Sequence, residues 1–98
     1  MEDQPTYDFV PIREASWEAI ATIKREWTAA RLTWPDDEEG ASPLLVDAST
    51  AQVMVLVHDF LSRENRATLE KRVAQSRTWF LAYVNFCWMA TKGDNPNA

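Results

Sequence analysis

The stretch from Trp79 to Ala90, WFLAYVNFCWMA, constrains the fold of this chain more than any other feature. Its only strongly polar side chain is Asn85, so a helix through it is apolar on every side, whereas a surface helix normally keeps one polar face. Ser76 is suited to cap the start of this helix, and Gly93 is suited to end it. The rest of the chain must therefore either wrap the helix completely or leave part of it for another protein.

The helix predicted just before it, SRENRATLEKRVAQ, offers little cover. Only Leu69 and Val73, one turn apart, give that short polar helix an apolar seam. Exposed apolar area above a few hundred Å2 normally marks an interface. We therefore expect the C-terminal helix to contact another protein, either a host protein or a second copy. The expected anchors are Trp79, Tyr83, Phe86 and Trp88.

A first helix is predicted from the N-cap Ser16 to about Leu32 or Thr33, because Pro35 stops it. At 100° per residue its apolar stripe is formed by Ala19, Ile20, Ile23, Trp27, Ala30 and Trp34. Leu32 falls outside this stripe. Trp17 also falls outside it, and we expect Trp17 to join the partner-binding surface.

A second helix is predicted after LLVDAS, with Asp47 or Ser49 as its cap, and Ser62 caps the third. The predicted fold is therefore all-α, a small bundle of about four helices in one domain over residues 1–98. An irregular N-terminal arm is expected at residues 1–13, an acidic proline-containing loop at 35–48 and a tail at 93–98.

Charge is unevenly distributed along this acidic chain, whose net charge is −5. Residues 1–59 hold 12 acidic and 4 basic residues, a net of −8, whereas residues 63–77 hold 5 basic and 2 acidic residues, a net of +3. An acidic protein gains nothing from the counterion release that drives binding to phosphates, so direct nucleic-acid binding is not expected. The asymmetry favours a protein partner or self-association.

Four consecutive acids follow Pro35 in the predicted loop. One interpretation is a solvated loop, and the other is a mimic of phosphate charge that faces a basic surface on a nucleic-acid-processing enzyme. The second interpretation adds four residues to the candidate partner-binding set: Asp36, Asp37, Glu38 and Glu39.

No motif in the sequence indicates catalysis, a metal site or a cofactor. The single histidine, His58, lies off the apolar stripe of its predicted helix and is interpreted as a solvated polar edge, whereas the single cysteine, Cys87, lies within the apolar run. A pair formed by these two residues is conceivable but weakly supported. Gly40 and Gly93 are the only glycines, so there is no glycine-rich phosphate loop. We expect no enzyme activity, no metal and no cofactor.

The stretch LVDASTAQVMVLVHDFLSRENRATLEKRV, followed by FCW, resembles small uncharacterised accessory proteins of tailed phages and prophages. The resemblance rests on a D-x-x-T-A helix start, the segment LSRENRA and the aromatic-rich end, and it covers about residues 45–88. It implies a protein that binds and inhibits or redirects a host protein, such as a nuclease or a defence complex.

The expected function is therefore non-enzymatic binding to a host protein through an aromatic helical face and an acidic surface. The alternative is a self-assembling scaffold protein that dimerises through the C-terminal helix. The chain begins without a signal peptide, and its apolar run is too short to span a bilayer. We expect a protein of the host cytoplasm that does not enter the membrane.

Overall fold

A computed structural model describes residues 9–93 of the chain, and these form four helices and a three-stranded sheet. The elements follow one another in the order β1 (Ile12–Glu14), α1 (Trp17–Glu26), β2 (Ala29–Thr33), β3 (Leu44–Asp47), α2 (Ala48–Asp59), α3 (Arg63–Gln75) and α4 (Arg77–Gly93). The predicted all-α class is therefore wrong, because the described residues form an α+β fold. Most of the arm predicted at residues 1–13 and of the tail predicted at 93–98 lies outside the described residues.

The sheet has the strand order β1-β2-β3, with β2 in the centre. Strand β1 runs parallel to β2 and places Ile12 opposite Arg31. Because parallel neighbours need a crossover connection, α1 fills that role between them. Strand β3 returns antiparallel to β2, with Val46 opposite Ala30. Strand β3 therefore begins inside the segment that we expected to be a loop from 35 to 48.

Helix α1 ends earlier than predicted because the chain turns at Trp27. This residue adopts the left-handed conformation, with φ of 52°. Its N–H donates to the Lys24 carbonyl, and the Thr28 N–H donates to the Ile23 carbonyl at 3.1 Å. Together these two bonds form a Schellman motif, which commonly ends helices but usually carries glycine at this position. The residues that follow are thereby released to form β2.

Side chains in β2 alternate between the core and a half-buried face, as a strand requires. Ala30, Leu32 and the following Trp34 are buried. The core between the sheet and the helices is completed by Ala19, Ile20, Ile23, Val46, Ala51, Met54, Leu69, Val73, Phe80, Tyr83 and Cys87.

The predicted serine caps of three helices are confirmed. Ser16 accepts a hydrogen bond from the Ala19 N–H, Ser62 accepts one from the Asn65 N–H, and Ser76 accepts one from the Trp79 N–H. Asp47 rather than Ser49 caps α2. Each cap satisfies one of the free N–H groups at a helix start and fixes where that helix begins.

Candidate functional site

Helix α4 buries one side and exposes the other. Phe80, Tyr83 and Cys87 point into the core. The opposite half of the helix carries Trp79 (43 % exposed), Leu81 (45 %), Phe86 (56 %), Trp88 (39 %) and Met89 (63 %), together with exposed Ala82 and Asn85. We call these seven residues the α4 face. From the usual areas of such side chains, its exposed apolar surface amounts to roughly 500 Å2, which is the size of the functional patches found on monomeric proteins.

The buried side of α4 is fixed to the sheet and to α2. The Tyr83 hydroxyl donates a hydrogen bond of 2.7 Å to the Met54 carbonyl, and burial raises the pKa of this hydroxyl. The Phe80 ring lies 4.9 Å from the ring of Trp34, measured between centroids. These contacts fix the rotation of α4 about its axis, and with it the direction in which the α4 face points.

Trp34 connects the sheet to both C-terminal helices. Its indole N–H donates a hydrogen bond of 2.7 Å to the Val73 carbonyl near the end of α3. The Arg77 guanidinium at the start of α4 lies over the same indole, 5.2 Å from the ring centroid. A single buried side chain at the end of β2 therefore helps to position α3 and α4 together.

The acidic loop is fastened to the start of α4. The Asp37 carboxylate accepts hydrogen bonds of 2.8 and 3.0 Å from the Arg77 guanidinium and one of 2.9 Å from the Trp34 N–H. The bond from Arg77, followed by the bond from Trp34, holds the pKa of Asp37 below its ordinary value of 3.8. Asp36 accepts a bond from the Arg77 N–H, whereas Glu38 is exposed without such a contact in the described residues.

The predicted binding residues fall into four places in the structure. Trp79, Phe86 and Trp88 lie together on the α4 face. Tyr83 lies in the core and is not part of that face. Trp17 is half-buried where α1 contacts α2. Of the four acids, Asp36, Asp37 and Glu38 lie beside the first residues of α4, where the first two contact Arg77, and Glu39 is exposed in the same loop. The sequence did not mark Leu81 and Met89 as binding residues, because only the rotation of the helix decides which apolar residues are exposed.

One end of the α4 face carries a positive charge. The Arg72 guanidinium lies over the Trp79 ring at 4.8 Å from its centroid, which is the geometry of a cation–π contact. Arg72 belongs to the basic helix α3 and, like its neighbour Lys71, is exposed. The α4 face is therefore bordered at its N-terminal end by the positive charge of Arg72.

His58 is buried, not solvated as the sequence indicated. Only 8 % of the residue is exposed, and its ring stacks on Trp17 with 4.2 Å between ring centroids. Its Nδ1 lies 3.0 Å from the Asp59 carboxylate, and its Nε2 lies 2.7 Å from that of Glu70. Both ring nitrogens of His58 therefore have partners within the protein. The contacts of His58 with Trp17 and Glu70 link α2 to α1 and α3.

The thiol of Cys87 is fully buried, and burial raises its pKa. A thiol in such surroundings is a poor nucleophile, because the thiolate is the reactive form. Within residues 9–93, no three His, Cys, Asp or Glu side chains are arranged to hold a metal ion. No helix in this part of the chain is long and apolar enough to cross a membrane.

A second apolar region lies at the other end of the sheet, where Phe9, Val10 and Trp27 line a shallow open depression of about 420 Å3. Among the residues that the structure describes, Asp47 is the only ionisable side chain that lines it. Thr28 and Ser49 also line the depression, but its Asp47 carboxylate is engaged as the cap of α2, and its open shape would leave a small ligand largely in solvent. The α4 face is therefore the better candidate for a functional surface.

Comparisons with protein-family models, with curated proteins and with solved structures found no match to this chain.

Proposed function

We propose that this chain is a non-enzymatic protein-binding protein whose docking surface is the α4 face. The observation that carries the proposal is the exposure of five large apolar side chains on one side of a single helix. Leaving roughly 500 Å2 of apolar surface in water forgoes stabilisation of about 25 cal/mol for each Å2, and another protein that covers the surface recovers part of it. Trp and Phe are also well suited to supply binding energy, since they bury large areas with few rotatable bonds.

An enzyme built around the single histidine has less support. A general base needs a ring nitrogen within reach of a substrate proton. In this protein, carboxylates lie within hydrogen-bond distance of both nitrogens of His58, and the residue is buried. This arrangement favours a structural role for the histidine.

The predicted host target remains part of this proposal. Glu38 and Glu39 are exposed in the acidic loop, so their charge is available to steer a basic surface towards the protein. Under this proposal the protein is a phage accessory protein that acts in the host cytoplasm and inhibits or redirects a nuclease or a defence complex. A photoreactive side chain at position 39 should then give an adduct with a host protein, and failure to form one would contradict the host target.

The docking surface is tested by photo-crosslinking in cells that produce the protein. A benzoylphenylalanine at position 86 replaces one exposed aromatic side chain by another on the α4 face. The matched control carries the same group at position 27, where Trp27 is also exposed but lies at the end of α1. We expect discrete protein adducts from position 86 and few from position 27. Equal yields from both positions would refute the α4 face as a docking surface.

A further inference from the structure

We propose that the α4 face binds a second copy of this chain, with the two α4 helices antiparallel and a two-fold axis beside Asn85. This inference rests on the proposed function, because it names the occupant of the same surface. Four features of the α4 face support it: a central amide, the pairing of small and large side chains, the position of positive charge and the exposed area.

Asn85 occupies the middle of α4, which runs from Arg77 to Gly93. It is exposed, and within residues 9–93 its amide makes one weak hydrogen bond, to the Met89 sulfur at 3.6 Å. A primary amide both donates and accepts, so two amides related by a two-fold axis can form two reciprocal hydrogen bonds. A single asparagine in an apolar helical seam is known to specify register and oligomeric state.

Side chains on either side of Asn85 complement one another when the second helix runs in the opposite direction. Ala82 and Met89 lie three residues before and four residues after Asn85, on the same side of the helix. An antiparallel copy therefore places its Met89, the most exposed apolar side chain of α4, against the small Ala82 of the first copy. By the same symmetry, Leu81 lies next to Trp88 of the second copy.

The position of positive charge also favours the antiparallel arrangement. Arg72 lies over Trp79 at the N-terminal end of the α4 face. A parallel pair would bring the two copies of Arg72 together. An antiparallel pair instead brings each Arg72 towards the C-terminal end of the other α4, where the helix dipole is negative and favours a cation.

The area is sufficient for a specific dimer. Full cover of roughly 500 Å2 on each copy would bury at most about 1,000 Å2, which reaches the lower bound for a biological interface. The seam is largely apolar, as is usual for homodimers. No residue of the core has to move to form it, since every residue of the α4 face is already exposed.

The test uses the full-length chain and two charge variants, Ala82→Glu and Met89→Lys. Both positions are exposed in the protomer, so the substitutions should leave the fold intact. Light scattering after size exclusion should give twice the chain mass for the native protein. Each variant alone should dimerise at least about thirtyfold more weakly, the factor that corresponds to losing a hot-spot contact.

An equimolar mixture of the two variants should recover the dimer at a concentration where each alone is monomeric. In an antiparallel pair, the glutamate introduced by A82E on one copy meets the lysine introduced by M89K on the other. The second contact in that pair keeps its native Ala82 and Met89. In a parallel pair, position 82 of one copy does not meet position 89 of the other, so mixing the variants would not restore the dimer. The control variant Ala67→Glu changes charge on the exposed surface of α3 and should dimerise like the native protein.

A native dimer whose variants do not recover on mixing would refute the antiparallel arrangement. A native protein that stays monomeric at all concentrations, while position 86 still crosslinks to another protein, would refute self-pairing and leave the proposed function intact. Absence of any adduct at position 86 would instead count against the proposed function itself.

Discussion

Replacing Trp34 by phenylalanine should destabilise the protein strongly, because it removes one buried hydrogen bond that no other group can replace. The indole N–H donates to the Val73 carbonyl in the last turn of α3. The N–H four residues later, which would donate to this carbonyl if the helix continued, belongs to Arg77 and donates to Asp36 instead. Phenylalanine therefore leaves the carbonyl buried without a donor.

An unsatisfied buried acceptor costs about 1–3 kcal/mol, and the smaller ring adds a cavity, so we expect a total loss of about 2–4 kcal/mol. This is a large share of the ~5–15 kcal/mol that stabilises a typical domain. For a chain of this length it should lower the melting temperature by roughly 10–25 °C.

The assay is urea denaturation followed by circular dichroism, which does not depend on the tryptophan that is removed. Trp27→Phe is the matched control, because that side chain is 59 % exposed and the new residue keeps the same backbone strain. Surface substitutions of this kind usually change stability by about 0.5 kcal/mol or less. If Trp34→Phe were as stable as Trp27→Phe, the role assigned to Trp34 would be refuted.

Three further predictions follow from the loop, the thiol and the end of α1. Folding lowers the pKa of Asp37 below its ordinary value of 3.8. The Asp37 carboxylate therefore stabilises the folded protein fully above pH 3.8, and this stabilisation is lost as the pH falls through the lowered pKa. The difference in urea midpoint between the native protein and Asp37→Asn should therefore shrink below pH 3.8, and a difference independent of pH would contradict the ion pair with Arg77. The Cys87 thiol should react with an aromatic disulfide reagent at neutral pH only after urea unfolds the chain, and full reaction in the native state would show that it is accessible. Trp27→Gly should be more stable than Trp27→Ala by about 1 kcal/mol in thermal unfolding, since glycine adopts positive φ without strain, and the reverse order would argue against a left-handed residue at this position.

The sequence predicted the C-terminal half of the fold better than the N-terminal half. Helices α2, α3 and α4 have caps and lengths that local patterns reveal. Strand β2 was missed because Ala30 and Trp34 fit both a helical stripe and an alternating strand pattern. Leu32 carried the distinguishing signal, since it fits the alternation but lies outside the helical stripe. Strands β1 and β3 are too short to give a periodic signal.

The site was only partly predictable, for a physical reason. A helix that is apolar on all sides does not reveal which side is buried, so the exposure of Phe86 and the burial of Tyr83 depend on packing against α2, α3 and Trp34. The burial of His58 likewise depends on Trp17 and Glu70, which belong to other helices. Such contacts join residues that are distant in sequence, and local patterns do not contain them.

Pairing of two chains through the α4 face can be measured by hydroxyl-radical footprinting of the purified protein at low and at high concentration. Met89 and Phe86 report on the α4 face, and exposed Trp27 serves as the internal reference. We expect oxidation of Met89 and Phe86 to fall several-fold as the concentration rises, whereas oxidation of Trp27 should stay constant. Oxidation that remains unchanged at all three residues would contradict the pairing of two chains through the α4 face.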